Sequence, residues 1–299
     1  MAPHFTDRLL QRMAQTSAIA LGIDPNIDLM PDFLHPAENT PDSVEAALVN
    51  FCVLILEAAD GLVPAVKFQA AFFEQFGIVG IKALAGAMAA SRDMGFLVIL
   101  DGKRGDIGST SQAYAHAYLG GGSALASNLE ADCITLNPFL GEDAMEPFLR
   151  TARERGKGLF ILVKTSNPGS SLVMNALTPD GELLSHRLAR LVEARSVETL
   201  GASGFGLVGA VVGATHPREA APLRERMPHA VILVPGIGAQ GGAIETLRGF
   251  AAPGGGGVLV PMSRTLTYPK GAGNDPASYQ KSVAAAIRHH ADHLRDTLG

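Results

Sequence analysis

Thiols are scarce in this chain: its 299 residues include two cysteines, Cys52 and Cys133. They stand far apart in apolar runs with no C-x-x-C spacing, which excludes a disulfide framework and makes buried, reduced thiols the expectation. Basic charge is also in short supply. A formal net charge of -5 with 18% charged residues leaves no basic excess for a phosphate backbone, so nucleic acid is not an expected partner. Residues 1–12 carry His4, Asp7, Arg8 and Arg12 and no apolar segment of signal-peptide type, and a cytoplasmic location is expected. The longest uncharged stretch, 200–216, is broken by Gly201, Gly204, Gly206, Gly209 and Gly213, and reads as a buried strand with its turns, not a membrane span. No G-x-S-x-G elbow is present and neither cysteine closes a strand beside a base, which sets nucleophilic serine or cysteine chemistry aside. Motifs for pyridoxal-type or thiamine-type cofactors are likewise missing, so no cofactor is expected.

Short apolar, β-rich runs do recur, each followed by a stretch of helical composition. Eight can be counted, at 18–22, 65–69, 96–100, 133–136, 159–164, 207–212, 231–234 and 257–260. Between them, 43–60 places Val44, Ala47, Leu48, Phe51, Leu54 and Ile55 at helical spacing, and 183–200 does the same with Leu184, Leu188, Leu191 and Val192. Strands as apolar as Phe160-Ile161-Leu162-Val163 suit a parallel sheet covered by helices. A single-domain α/β (β/α)8 TIM barrel over residues 1–299 is the leading fold, ahead of an open doubly wound sheet. Residues 36–42 and 170–181 are longer connections that suit either lids or surface insertions.

A barrel of this kind carries its chemistry at the carboxyl ends of the strands. Here those ends are polar: Gly22-Ile23-Asp24-Pro25, Val66-Lys67-Phe68-Gln69, Asp101-Gly102-Lys103 and Leu136-Asn137-Pro138. Strand alternation points Asp101 and Lys103 to the same side, with Asp106 following in the loop. An ammonium among carboxylates stays protonated and can serve as a proton donor. A plain barrel-end ion network is the competing explanation. Ser109 and Gln112 have capping-box spacing for a helix starting just beyond.

Phosphate is suggested elsewhere, by the glycines of 235–242 after the seventh strand and by Ser263-Arg264 after the eighth. A Gly-rich turn alone is weak evidence, and its late position argues against a dinucleotide fingerprint. Asp24, Asp101 and Asp106 are also candidates for an oxygen-rich cation site. Lys67 and Lys103 would neutralise those acids themselves, no histidine pair is expected to have ligand spacing, and no metal is expected. The adjacent His289-His290 lie in an amphipathic terminal segment and are expected at the solvent surface.

Six motifs in order carry a family resemblance: Leu21-Gly22-Ile23-Asp24-Pro25, Val66-Lys67-Phe68-Gln69, Asp101-Gly102-Lys103-Arg104-Gly105-Asp106-Ile107-Gly108-Ser109-Thr110, Thr135-Leu136-Asn137-Pro138-Phe139-Leu140-Gly141, Thr165-Ser166-Asn167-Pro168-Gly169-Ser170 and Val234-Pro235-Gly236-Ile237-Gly238-Ala239-Gln240-Gly241-Gly242. Together they resemble the orotidine 5'-phosphate decarboxylase family, in particular its longer bacterial branch, over about residues 5–268. The resemblance implies a cofactor-free carboxy-lyase that converts orotidine 5'-monophosphate to uridine 5'-monophosphate in de novo pyrimidine biosynthesis. It further implies that Lys103 protonates C6, with Asp101 beside the departing carboxylate and Asp24 and Lys67 around the ribose hydroxyls. Ser166 would read the pyrimidine edge, and Gln240 and Arg264 would hold the 5'-phosphate. Asp106 and Thr110 would reach into a neighbouring subunit's site, which makes a homodimer the expected assembly. The chain departs from the family pattern at Pro261-Met262, where small polar residues would be expected before the phosphate arginine. Two rivals remain open: a metal-dependent sugar-phosphate decarboxylase or epimerase on a related barrel, and a non-catalytic phosphosugar-binding barrel. The first calls for an acid near the end of strand two, where this chain has Lys67.

Overall fold

In the barrel wall, side chains alternate between the interior and the surrounding helices, and this alternation sets the depth of every polar group discussed below. The computed structural model describes residues 3–122, 125–237, 241–253 and 255–299. Its strands are β1 (Ile19–Ile23), β2 (Ala65–Gln69), β3 (Leu97–Arg104), β4 (Cys133–Leu136), β5 (Gly158–Lys164), β6 (Val208–Val212), β7 (Ile232–Leu233) and β8 (Val258–Met262). They pair in parallel in sequence order, and β8 closes on β1, forming the expected (β/α)8 barrel.

Ile19, Leu21, Ile23, Val66, Phe68, Val98 and Leu100 pack outward in one apolar cluster with the helices. Ala20, Ala65, Leu97, Ile99, Cys133, Phe160 and Leu259 form a second cluster within the barrel, and Phe5 and Leu9 of the helix Phe5–Gln15 join it. Gly209 makes room for the Phe160 ring, since a Cβ there would lie 2.7 Å from Phe160 Cε1. Two residues further along the same inward rows stand Lys67, Asp101 and Thr135. The apolar floor and the polar mouth are thus successive layers of one alternating pattern.

Both long helices form, with shifted ends. The first runs Pro41–Ala59, its N-terminus capped by Thr40 Oγ1 accepting from Ser43 N and opened by a proline at the first helical position. The second runs Leu184–Val197. The expected Ser109/Gln112 capping box does not form: the helix Gly108–Leu119 has no side-chain cap, and Gln112 instead bonds His116 and Arg150. β3 extends four residues past its expected end at 100, with an irregularity before Arg104 pairs with Leu136. β8 likewise takes in Pro261 and Met262, which pair with Ala20 and Leu21.

Both cysteines are buried and free. The histidine expectations need correction. In the helix Pro276–Leu298, His289 is exposed, but His290 is half-buried, its Nδ1 has no partner, and burial together with His289 and His293 pushes its pKa down. His289 and His293 also stand one helical turn apart, with ring centroids 5.9 Å from each other, so a pair at ligand spacing does exist. Among the described residues no group of three or more histidines, cysteines or acids is placed to hold a metal ion, and no helix is long and apolar enough to cross a membrane.

At the amino ends of β7 and β8, buried Arg224 donates to the carbonyls of Phe250, Met227, Ala230 and Gly257 at 2.7–2.9 Å. Burial pushes its pKa down to about 10, against the pull of Glu193, and leaves it charged at neutral pH. Arg224→Met strands several buried acceptors, so it should lower the unfolding free energy by about 3 kcal/mol, read from the urea midpoint, while a remote site at the other barrel end keeps its activity.

Candidate active site

The carboxyl ends of the strands surround a cavity of about 390 Å³. Gly22 and Asp24 line it from β1 and its loop, Lys67 and Gln69 from β2, Asp101 and Lys103 from β3, and Thr135 from β4. Thr165, Ser166 and Asn167 enter from the loop after β5, and Arg264 enters after β8. Val211, Leu233, Pro261 and Met262 add an apolar lining that strengthens electrostatic interactions inside.

Asp101 is the hub. It is 8% exposed and accepts hydrogen bonds from Lys67 Nζ at 3.0 Å, Lys103 Nζ at 2.6 Å, Gln69 Nε2 at 3.2 Å and Thr135 Oγ1 at 2.9 Å. Burial alone would raise its pKa, but the two ammonium groups outweigh burial and hold the carboxyl well below the ordinary range. Burial likewise opposes the charge on Lys67, yet Asp101 and then Asp24 win and raise its pKa. Asp24 completes an alternating row of charges with Lys67, Asp101 and Lys103. Its backbone carbonyl accepts from Tyr268 Oη at 3.1 Å, while its buried Oδ1 has no partner and is ready to accept a hydroxyl.

Lys103 sits differently from Lys67. Its side chain is 43% exposed, tethered to Asp101 on one side and facing the cavity. Its backbone has φ of +46°, the one positive value at a non-glycine residue among those described. That left-handed geometry costs about 1–3 kcal/mol and persists because the surroundings impose it. Thr135 Oγ1 accepts from Lys103 N at 2.9 Å, Arg104 Nη1 donates to Gly102 O at 2.7 Å, and Asn137 N donates to Arg104 O at 2.9 Å. Thr135 therefore holds both the backbone of Lys103 and the carboxylate of Asp101. A half-exposed ammonium beside a buried, ionised carboxylate can deliver a proton to an atom held over it.

At the opposite rim, a Cβ on Gly22 would fall 2.8 Å from Ser263 Cβ, so glycine lets β1 approach the loop bearing Arg264. Pro235, Gly236 and Ile237 face the same end of the cavity. Gln240 lies outside the described residues. Asp106 and Thr110 do not line the cavity: Asp106 Oδ1 accepts from its own neighbour Ile107 N at 2.8 Å, and Thr110 is exposed. The three-charge cluster read from the motif is thus an Asp101–Lys103 pair within one chain. Thr135 and Gln69 escaped notice as contributors because their bonds to Asp101 cross strands. Their inward parity was the available signal.

The model of the orotidine 5'-phosphate decarboxylase / HUMPS family matches residues 42–256 of this chain. The chain belongs to that family. The family match takes in Lys67, Asp101, Lys103 and Ser166 but stops short of Arg264, and Asp24 precedes it. Full-length relatives span both flanks. The orotidine 5'-phosphate decarboxylase of Rhodopirellula baltica is 41% identical, covering 97% of this chain and 99% of its own. That of Deinococcus radiodurans is 38% identical over the whole of both chains. The solved OMP decarboxylase of Leishmania donovani superposes with a TM-score of 0.77 at 31% identity, covering 98% of each chain. The decarboxylase family fold is accordingly the barrel described above.

Proposed function

We propose that this chain is an orotidine 5'-monophosphate decarboxylase, releasing carbon dioxide and uridine 5'-monophosphate as a step of de novo pyrimidine biosynthesis. The observation that carries the proposal is Lys103 Nζ, 2.6 Å from buried Asp101 at the cavity mouth, in a chain that belongs to this family over most of its length. With orotidylate bound, the bond from C6 to the carboxylate breaks and carbon dioxide leaves. The electron pair left on C6 takes a proton from Lys103 Nζ, which is later recharged from solvent. No adjacent carbonyl delocalises that charge, so a fixed ammonium supplies the stabilisation. Asp101, held ionised by Lys67 and Lys103, crowds the substrate carboxylate and adds ground-state destabilisation.

Asp24 and Lys67 bind the ribose hydroxyls, Ser166 reads the pyrimidine edge, and Gln240 and Arg264 hold the phosphate. Asp106 and Thr110 complete the site of a partner subunit across the barrel mouths, in a homodimer working in the cytoplasm. Their position away from their own cavity supports this arrangement.

The deciding experiment incubates metal-chelated protein with orotidylate and follows loss of the orotate chromophore. Full turnover is expected, and its absence would sink the assignment. Full turnover after chelation would also exclude the metal-dependent sugar-phosphate rival, and Lys67, 3.0 Å from Asp101 Oδ2, stands where that rival calls for an acid. Phosphate contacts remote from C6 should also assist the chemical step. Arg264→Ala is expected to lower kcat roughly tenfold besides raising KM, and a change confined to KM would disprove that coupling.

A further inference from the structure

Lys164, at the end of β5, is wholly buried, and it does not line the cavity. β5 departs from regular register on reaching it, so Lys164 pairs with Val212 of the outward row. Its ammonium donates to Asn175 Oδ1 and lies 3.6 Å from Glu219 Oε1 on the helix Pro217–Arg226. Asn175 lies part-way along the connection that begins at Thr165, just after the short helix Ser171–Met174, so this one ammonium ties the segment carrying Ser166 back to the end of β5 and links it to Glu219. Further ties join the same loop to the β6 exit. Thr215 Oγ1 donates to Ser166 O at 2.9 Å, and His216 Nε2 lies 3.0 Å from Thr165 O and 3.2 Å from Ser170 Oγ. Because a carbonyl only accepts, Nε2 is the protonated nitrogen of that ring. Gly213 permits the close approach, since a Cβ there would fall 2.6 Å from Ser166 Cα.

A buried ion pair gives little net stability compared with apolar packing, so its value lies in defining one geometry. We propose that Lys164 is a positioning residue for base recognition. By fastening Asn175 to Glu219 it sets where Ser166 meets the pyrimidine edge. The idea rests on the decarboxylase assignment, and wild-type turnover of orotidylate tests that assignment separately.

The experiment compares wild type with Lys164→Met, Asn175→Ala and the double variant Lys164→Met/Glu219→Leu. It measures kcat and KM for orotidylate, affinities for uridine 5'-monophosphate and ribose 5-phosphate, and thermal midpoints. Lys164→Met should lower kcat/KM on the order of 100-fold and weaken the nucleotide roughly tenfold or more, leaving ribose 5-phosphate within about twofold. The double variant removes both charges, so it should regain thermal stability without regaining nucleotide affinity. Recovery of both together would overturn the proposal, as would proportional losses for the two ligands. Asn175→Ala changes an exposed loop residue and keeps the test decisive if the buried variants fail to fold. Unaltered nucleotide affinity in that variant would also overturn it.

Discussion

Lys103→Ala is expected to reduce orotidylate turnover by about 10⁴-fold or more while the protein still binds uridine 5'-monophosphate within roughly tenfold of wild type. The substitution removes both the proton donor and the cation opposite the developing charge. The site around it survives, because Asp101 keeps its bonds from Lys67, Gln69 and Thr135. A second readout follows from the carboxyl's depressed pKa. A group ionised more readily when folded contributes stability that is complete above the ordinary carboxylate range near pH 4 and is lost as pH falls through the folded value. Lys103 is one of the two cations holding Asp101 down, so without it the folded value moves up and acid unfolding should begin at higher pH. Turnover within tenfold of wild type would remove Lys103 from the chemistry altogether.

The second large effect concerns the partner subunit. If Asp106 serves the neighbouring site, Lys103→Ala and Asp106→Asn proteins, each nearly inactive alone, should regain activity when unfolded together and refolded as a mixture. A hybrid dimer holds one doubly altered site and one native site. Random pairing makes half of the dimers hybrids, and about a quarter of wild-type activity should return. No recovery, with dimers verified by sedimentation, would place Asp106 in its own chain's site or outside the mechanism. Its local bond to Ile107 N and its absence from the lining of its own cavity favour recovery.

Much of this organisation was legible in the residues themselves. The runs at 65–69 and 133–136 coincide with β2 and β4, since strongly apolar segments bounded by polar turns define strands locally. The Asp101–Lys103 pairing follows from alternation within a single strand. Other local signals misled. Capping-box spacing at Ser109 and Gln112 lost to other partners, as Gln112 bonds His116 one turn on in its own helix and Arg150 across the fold. β3 outruns its expected end because polarity at 101–104 resembles a turn, while pairing with β4 carries the strand through it.

By itself the sequence determined the barrel, its order of strands and the Asp101–Lys103 motif, because alternation, helical periodicity and short-range spacing act between near neighbours. Only the tertiary structure decided that Thr135, Gln69 and Lys67 converge on one carboxylate, that Lys103 is held at positive φ, and that Lys164 joins Asn175 to Glu219. The contacts on Asp101 depend on strand register and barrel closure, which bring together residues 30 or more positions apart, as in the 34 between Lys67 and Asp101. No local pattern encodes such distances. They exist once the sheet has closed and each inward row has found its depth.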